Sequence, residues 1–140
     1  MNTLKHFLLI VSSSLFFISC QNKTKNLLVK KWDCVQVENL TLTDNNFTSK
    51  EDSAMAIKID AALKNLSWTF NKNNTYQCSI DSKITTQGTY EITADEKTLT
   101  CTPLSKNTVN TYTITALSEI ELTLNSMGTA VPLILHFRPN

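Results

Sequence analysis

The 140-residue chain is poor in glycine, in proline and in net charge. It contains two glycines, Gly88 and Gly128, and three prolines, which excludes collagen-like chains and the glycine-rich loops that hold phosphates or dinucleotides. Lys and Arg total 13 against 12 Asp and Glu, so the basic surplus that nucleic-acid binding requires is absent. With 41% hydrophobic residues, this length predicts one small globular domain.

The first twenty residues differ from the rest of the chain. Lys5 supplies a positive charge near the start, and residues 7–19 are apolar or hydroxyl-bearing without any charge. This stretch has the length of the apolar region of a secretory signal peptide and is too short to span a bilayer comfortably. It ends in Phe17-Ile18-Ser19-Cys20, which resembles a bacterial lipobox.

The lipobox resemblance implies that residues 1–19 are a lipoprotein signal peptide and that Cys20 is lipidated, with diacylglycerol on sulfur and an acyl chain such as palmitate on its amino group. The alternative is an ordinary signal peptide followed by a chance cysteine. Residues 21–26 are polar, so we predict that residues 20–27 form a lipidated tether. Two or three acyl chains anchor a protein firmly, and no Asp follows Cys20 to indicate inner-membrane retention. We therefore expect a lipoprotein of the outer membrane that faces the periplasm.

From residue 28 onward, apolar residues alternate with polar ones, most often threonine. A period of two predicts strands, and threonine suits a pleated surface that is half exposed. We predict eight strands at about residues 31–38, 66–71, 75–81, 87–93, 97–102, 110–116, 119–125 and 131–138. Because short turns link most of them, consecutive strands should pair antiparallel, and closure into a barrel would bury the apolar face. Residues 28–140 are thus expected to form an all-β, eight-stranded antiparallel up-and-down barrel.

Strand parity assigns one set of side chains to the interior, and none of them is charged. The predicted inward residues are Trp32, Cys34, Trp68, Phe70, Tyr76, Cys78, Ile80, Tyr90, Ile92, Leu99, Cys101, Tyr112, Ile114, Ile120, Leu122, Leu124, Leu133, Leu135 and Phe137.

One segment between the first and second strands has a different period. Thr48 and Glu51 have the spacing of a capping box, and Met55, Ile59 and Leu63 follow at intervals of four, which predicts an amphipathic helix over residues 50–64. The helix would lie across one end of the barrel. It would act there either as a lid over a cavity or as a plug that covers apolar surface.

Short motifs occur along the chain in a characteristic order. They are Lys30–Trp32, Leu66–Phe70, Asn74–Tyr76, Gly88–Ile92, Tyr112–Ser118 and Leu135–Arg138. Together they resemble the lipocalin-like domain of Bacteroidota lipoproteins over residues 28–138. Lys30 and Asn74 stand where that pattern has glycine. The resemblance implies a small up-and-down barrel.

Catalytic and metal-binding patterns are not found in the sequence. The three cysteines after Cys20 are inward by parity, but intervening strands would separate Cys78 from both Cys34 and Cys101 by about 9–10 Å. We predict three buried thiols, with one disulfide in a distorted barrel as the alternative. His136 is predicted to point outward, away from them, and neither C-x-x-C nor H-x-H occurs. We predict no enzyme activity, no metal and no cofactor.

Two functions remain. In the first, the barrel binds a small apolar ligand between aromatic side chains and the predicted helix. The proposed ligand site consists of Trp32, Trp68, Phe70, Tyr90 and Tyr112 from the barrel and Met55, Ile59 and Leu63 from the helix. In the second, the barrel is filled by its own side chains, and the protein is a cell-envelope interaction or accessory protein without a ligand. The expected partners are the membrane, through the anchor, and this ligand.

Overall fold

The computed structural model describes residues 23–39, 61, 63–105 and 108–140. Its eight strands form a closed barrel in which every strand pairs antiparallel with its neighbours in the chain and β8 pairs with β1. The strands are β1 (Lys31–Glu38), β2 (Leu66–Phe70), β3 (Thr75–Ile80), β4 (Lys83–Ile92), β5 (Thr98–Pro103), β6 (Asn110–Leu117), β7 (Leu122–Ser126) and β8 (Ile134–Pro139). The predicted all-β, eight-stranded up-and-down barrel is confirmed.

The core follows the alternation of the sequence. Its fourteen buried side chains are Leu28, Trp32, Cys34, Trp68, Phe70, Tyr76, Cys78, Tyr90, Leu99, Cys101, Leu122, Leu124, Leu135 and Phe137. Thirteen of them were predicted from strand parity, and Leu28 was not. No charged or polar side chain among the described residues is buried with them.

Ile120 was predicted to face inward, and this was wrong. The side chain is 73% exposed, because residues 118–121 form the turn between β6 and β7 and β7 begins only at Leu122. The Ser118 hydroxyl accepts hydrogen bonds from the backbone N–H groups of Ile120 and Glu121, at 3.3 and 3.2 Å. This local bonding replaces the strand ladder that parity assumed.

Residues with positive φ form two of the turns between strands. The β3–β4 turn contains Asp81 and Ser82, both at positive φ, so it is a tight two-residue turn and β4 starts at Lys83 rather than at residue 87. Asn74, which stands where the resembled family has glycine, has a φ of 63°, a conformation that asparagine tolerates.

A Cβ on Gly88 would lie 2.8 Å from Cα of Pro103, so glycine permits the close approach of β4 and β5.

A short helix at residues 23–28 closes one end of the barrel. Leu28 at its end is fully buried in the core, and its carbonyl oxygen accepts a 2.8 Å hydrogen bond from the indole N–H of Trp32. The next turn is also tied to the sheet, since the Phe70 N–H donates to the carbonyl oxygen of Lys30 at 3.1 Å. This segment therefore contributes to the folded barrel.

The up-and-down order gives the barrel two distinct ends. We define the helix end by residues 23–30 and by the turns at 71–74, 93–97 and 118–121. The far end carries the turn at 81–82, the last residues of β1, β5 and β7, and the first residues of β2, β6 and β8.

Most of the helix predicted over residues 50–64 lies outside the described residues. Residues 61, 63 and 64 are helical, directly before β2. They lie at the far end, opposite the helix of residues 23–28.

The burial of Leu28 generates a prediction. Replacing Leu28 by Ala should lower the free energy of unfolding by about 2–5 kcal/mol, because a fully buried leucine leaves a cavity in the core. The matched control is Leu27→Ala, since Leu27 is only half-buried and should cost clearly less. Urea unfolding followed by tryptophan fluorescence measures both variants. Equal losses in the two variants would contradict the burial of Leu28.

Candidate functional site

The barrel interior contains a connected cluster of aromatic rings. Trp68 on β2 lies at its centre, with ring centroids 5.8 Å from Phe70, 5.3 Å from Tyr112 and 5.8 Å from Phe137. Tyr76 is 6.1 Å from Trp68. These separations are those of rings in direct contact. The rings therefore fill much of the space that they enclose.

The structure brings four of the five proposed barrel residues together through ring contacts. The rings of Phe70 and Tyr90 are 5.1 Å apart, centroid to centroid. Phe70 also contacts Trp68, and Trp68 contacts Tyr112. Trp32 is buried nearer the helix end, where its indole N–H donates a hydrogen bond to the carbonyl oxygen of Leu28. Tyr112 is half-buried and lies towards the far end. Its position makes it the member of this group that is most accessible to a ligand.

Of the three ligand-site residues predicted on the helix, one lies among the described residues. Leu63 is half-buried at the far end. Met55 and Ile59 lie outside the described residues.

Two polar atoms inside the barrel lack hydrogen-bond partners among the described residues. They are the indole Nε1 of Trp68 and the hydroxyl of Tyr76. The hydroxyl of Tyr90, by contrast, donates to the carbonyl oxygen of Asn71 at 2.9 Å. A buried donor without an acceptor costs about 1–3 kcal/mol. A neutral oxygen acceptor bound beside Trp68 or Tyr76 would therefore be stabilised.

All three described cysteines are buried free thiols, as predicted. Burial raises the pKa of Cys34 to about 11 and the pKa of Cys78 to about 12. Burial raises the pKa of Cys101 further still, with a smaller contribution from Cys78. The thiols are therefore protonated at neutral pH and behave as small apolar groups.

The tyrosines of the core are neutral as well. Burial raises the pKa of both Tyr76 and Tyr90 to about 12, and it raises the pKa of Tyr112 also. The core thus offers no charge to pair with an ionised ligand.

His136 points outward from β8, as predicted. Its Nε2 lies 2.8 Å from Oε1 of Glu38, and its Nδ1 lies 3.3 Å from the Thr123 hydroxyl. Within the described ranges, no three side chains of His, Cys, Asp or Glu are grouped as metal ligands would be. No helix in the described part of the chain is long and apolar enough to cross a membrane.

A pocket of about 490 Å³ lies at the far end, between the start of β6 and the connection from β7 to β8. Tyr112 lines it together with the half-exposed apolar side chains of Val109 and Met127 and with Gly128, and the rest of the lining is polar but uncharged: Asn110, Thr111, Ser126 and Thr129. Because Tyr112 contacts Trp68, this pocket adjoins the aromatic cluster. It is the candidate functional site.

Exposed apolar side chains occur around the far end of the barrel, and two of them, Val109 and Met127, line the candidate site. The far-end apolar rim consists of Ile84, Leu104, Val109, Met127 and Val131, each at least half exposed. Sequence reasoning missed this rim for two reasons. Four of its members lie in connections between strands, although Val131 was predicted to begin the last strand, and Ile84 lies in the part of β4 that precedes the predicted strand of residues 87–93. A second pocket, of about 350 Å³, lies beside β1 and β2. Its lining includes Asp33, Asn65 and Asp81, so it is the more polar of the two.

The barrel resembles a crystal structure described as that of a DUF4847 family protein from Bacteroides vulgatus ATCC 8482. The TM-score is 0.53 at 14% sequence identity, and the match covers 81% of this chain and 94% of that protein. No family model matches the chain, and no curated protein matches its sequence. At this identity the likeness shows a shared barrel fold.

The buried thiols generate a prediction about reactivity. In a Cys20→Ser variant, Cys34, Cys78 and Cys101 should react very slowly with Ellman's reagent at pH 8, because a thiol with a pKa near 11 is only about 0.1% ionised there. After unfolding in guanidinium, all three should react. Rapid reaction of one thiol in the folded protein, or a count below three in the unfolded chain without reductant, would contradict the assignment.

Proposed function

We propose that this protein is a lipocalin-like lipoprotein, anchored to the outer membrane and facing the periplasm, that binds a small apolar molecule at the far end of its barrel. The observation that carries the proposal is the pocket lined by Tyr112, Val109 and Met127, at the end of the barrel that also carries the far-end apolar rim. The proposed role is binding without catalysis.

The character of the site supports an uncharged ligand. The core side chains are apolar or neutral, since burial raises the pKa of Tyr76 and Tyr90 to about 12. An ionised group placed against them would lose its hydration at a cost of several kcal/mol. Each methylene moved from water into the pocket would contribute about 0.8 kcal/mol. Apolar surface is therefore the main source of affinity.

The aromatic rings leave little room for a ligand in the helix-end half of the barrel. Trp68, Phe70 and Tyr90 already contact one another or Tyr76, so the helix-end half of the barrel is occupied by protein. The ligand would bind mainly at the far end, against Tyr112, Val109 and Met127. An uncharged oxygen atom on the ligand, placed beside Tyr112, could accept a hydrogen bond from the unpaired indole N–H of Trp68, whose ring contacts Tyr112.

A second candidate function uses the same end of the molecule. The mutual contacts of the aromatic rings favour a barrel filled by its own side chains. In that case the far-end apolar rim would contact another protein of the cell envelope, since exposed apolar clusters mark interaction surfaces. Binding of a small apolar probe separates the two functions.

The probe is N-phenyl-1-naphthylamine, a neutral fluorophore, titrated against the soluble protein that starts at Asn22. We expect saturable binding with increased emission, because the probe leaves water for the pocket. Met127→Asp should weaken binding by about tenfold or more, which corresponds to about 1.4 kcal/mol. The matched control is Ile120→Asp, which places the same charge at an exposed apolar position on the helix end and should leave the Kd unchanged. If the parent does not bind the probe, the ligand-binding proposal fails and the interaction function remains.

The anchor has its own test. In the bacterial host, Cys20→Ser should move the protein from the outer-membrane fraction to the soluble periplasm, or leave it with an uncut leader, because the acylated residue is lost. Ser19→Ala is the control, since it keeps a small residue before the cysteine. Unchanged membrane fractionation of the Cys20→Ser protein would contradict the lipid anchor.

A further inference from the structure

The proposed anchor lies very close to the folded barrel. Cys20 precedes residue 23, the first residue of the short helix, by three positions. A chain of three residues spans at most about 11 Å. A lipid on Cys20 would therefore hold the first turn of this helix close to the membrane surface.

The helix of residues 23–28 has a defined attachment to the barrel. Leu28 is buried in the core and bonded to Trp32. The Thr24 hydroxyl donates to the carboxylate of Glu96 at 2.7 Å, which ties the helix to the turn at 93–97. The Lys30 ammonium lies 2.8 Å from the carboxylate of Glu119, which ties the following residues to the turn at 118–121. These contacts fix the orientation of the helix relative to the barrel, so the proposed anchor joins the barrel at a defined place.

An exposed isoleucine lies on that same turn. Ile120 directly follows Glu119, is 73% exposed, and is the only large apolar side chain at the helix end, among the described residues, with comparable exposure. The turn is held by the two N–H bonds to the Ser118 hydroxyl and by the Ser118 N–H, which donates to the carbonyl oxygen of Glu121 at 2.9 Å. The turn presents this apolar group at a fixed position beside the anchoring segment.

We propose that the helix end of the barrel rests on the membrane, with Ile120 inserted at the lipid surface, and that the far end points away from the membrane. The inference rests on the proposed lipid anchor and adds an orientation and a second membrane contact to it. The partner is the apolar boundary of a lipid bilayer, where amphipathic surfaces bury their apolar groups.

Charge does not account for this contact. The exposed basic residues at the helix end are Lys23, Lys31, Lys72, Lys97 and Arg138, and the exposed carboxylates there include those of Asp95, Glu119 and Glu121. This small basic surplus would add an attraction to anionic lipids that salt screens, but it does not act through the apolar side chain of Ile120. The contact made by Ile120 should therefore vary little with salt.

The test uses the full lipidated protein, purified from membranes and reconstituted into phosphatidylethanolamine–phosphatidylglycerol vesicles. The fluorophore NBD is attached to Ile120→Cys at the helix end or, as the matched control, to Leu104→Cys at the far end. Both positions are highly exposed turn residues, and the three native thiols are buried, so labelling is selective. Lipids that carry a nitroxide quencher just below the headgroup report which label contacts the bilayer.

We expect quenching and increased emission at position 120, with neither at position 104, at both low and high salt. Quenching at position 104 alone would show the opposite orientation and overturn the inference. If neither label is quenched although the protein floats with the vesicles, the anchor stands and the proposed orientation is wrong. A protein that does not float has no lipid anchor, which overturns both the inference and the proposed attachment.

Discussion

The structure depends on closure of the sheet through β1. This strand pairs with β8 along most of its length and with β2 over Lys31–Asp33. Without these bonds the sheet would expose two edges and could not enclose its apolar face. The short β1–β2 pairing lies next to the point where Leu28 enters the core and bonds to Trp32. The segment before β1 therefore supports the strand that closes the barrel.

Closure at one end leaves the opposite end as the place for the proposed ligand site. The helix of residues 23–28 and the rings around Trp68 occupy the interior near the helix end. At the far end, Tyr112 is only half-buried and a pocket adjoins it. An eight-stranded barrel is wide enough to be filled by side chains or to hold one small ligand. In this barrel the interior is filled by side chains, and the pocket lies at the far-end rim beside Tyr112.

The absence of charge in the interior affects both the packing of the core and the kind of ligand that the core could accept. Buried thiols on Cys78 and Cys101 and the hydroxyls of the core tyrosines remain protonated because ionisation would cost them their hydration. The same lack of charge that allows these groups to pack together would disfavour an ionised ligand. Their polar atoms are also few, so Trp68 and Tyr76 are the residues at which a bound oxygen would matter most.

Much of this fold could be read from the sequence because strand alternation is local. The period of two located all eight strands and thirteen of the fourteen buried core residues, since each strand has one face that must leave water. The same logic failed at Ile120, where the Ser118 hydroxyl ended the alternation with a turn. It also did not indicate the burial of Leu28, which depends on a contact with Trp32 across the closed barrel end.

The sequence by itself determined the strands, the inward face, the neutral core and the outward position of His136. Only the tertiary structure decided which aromatic rings touch one another and which one, Tyr112, remains accessible. The tertiary structure alone brings Leu104, Val109 and Met127 to the far end together with Ile84, which is distant from them in the chain. It also places Ile120 at the helix end, next to the ion pair of Glu119 and Lys30. The physical reason is that alternation specifies the face on which a side chain lies, whereas the end of the barrel to which it belongs depends on the pairing of all eight strands.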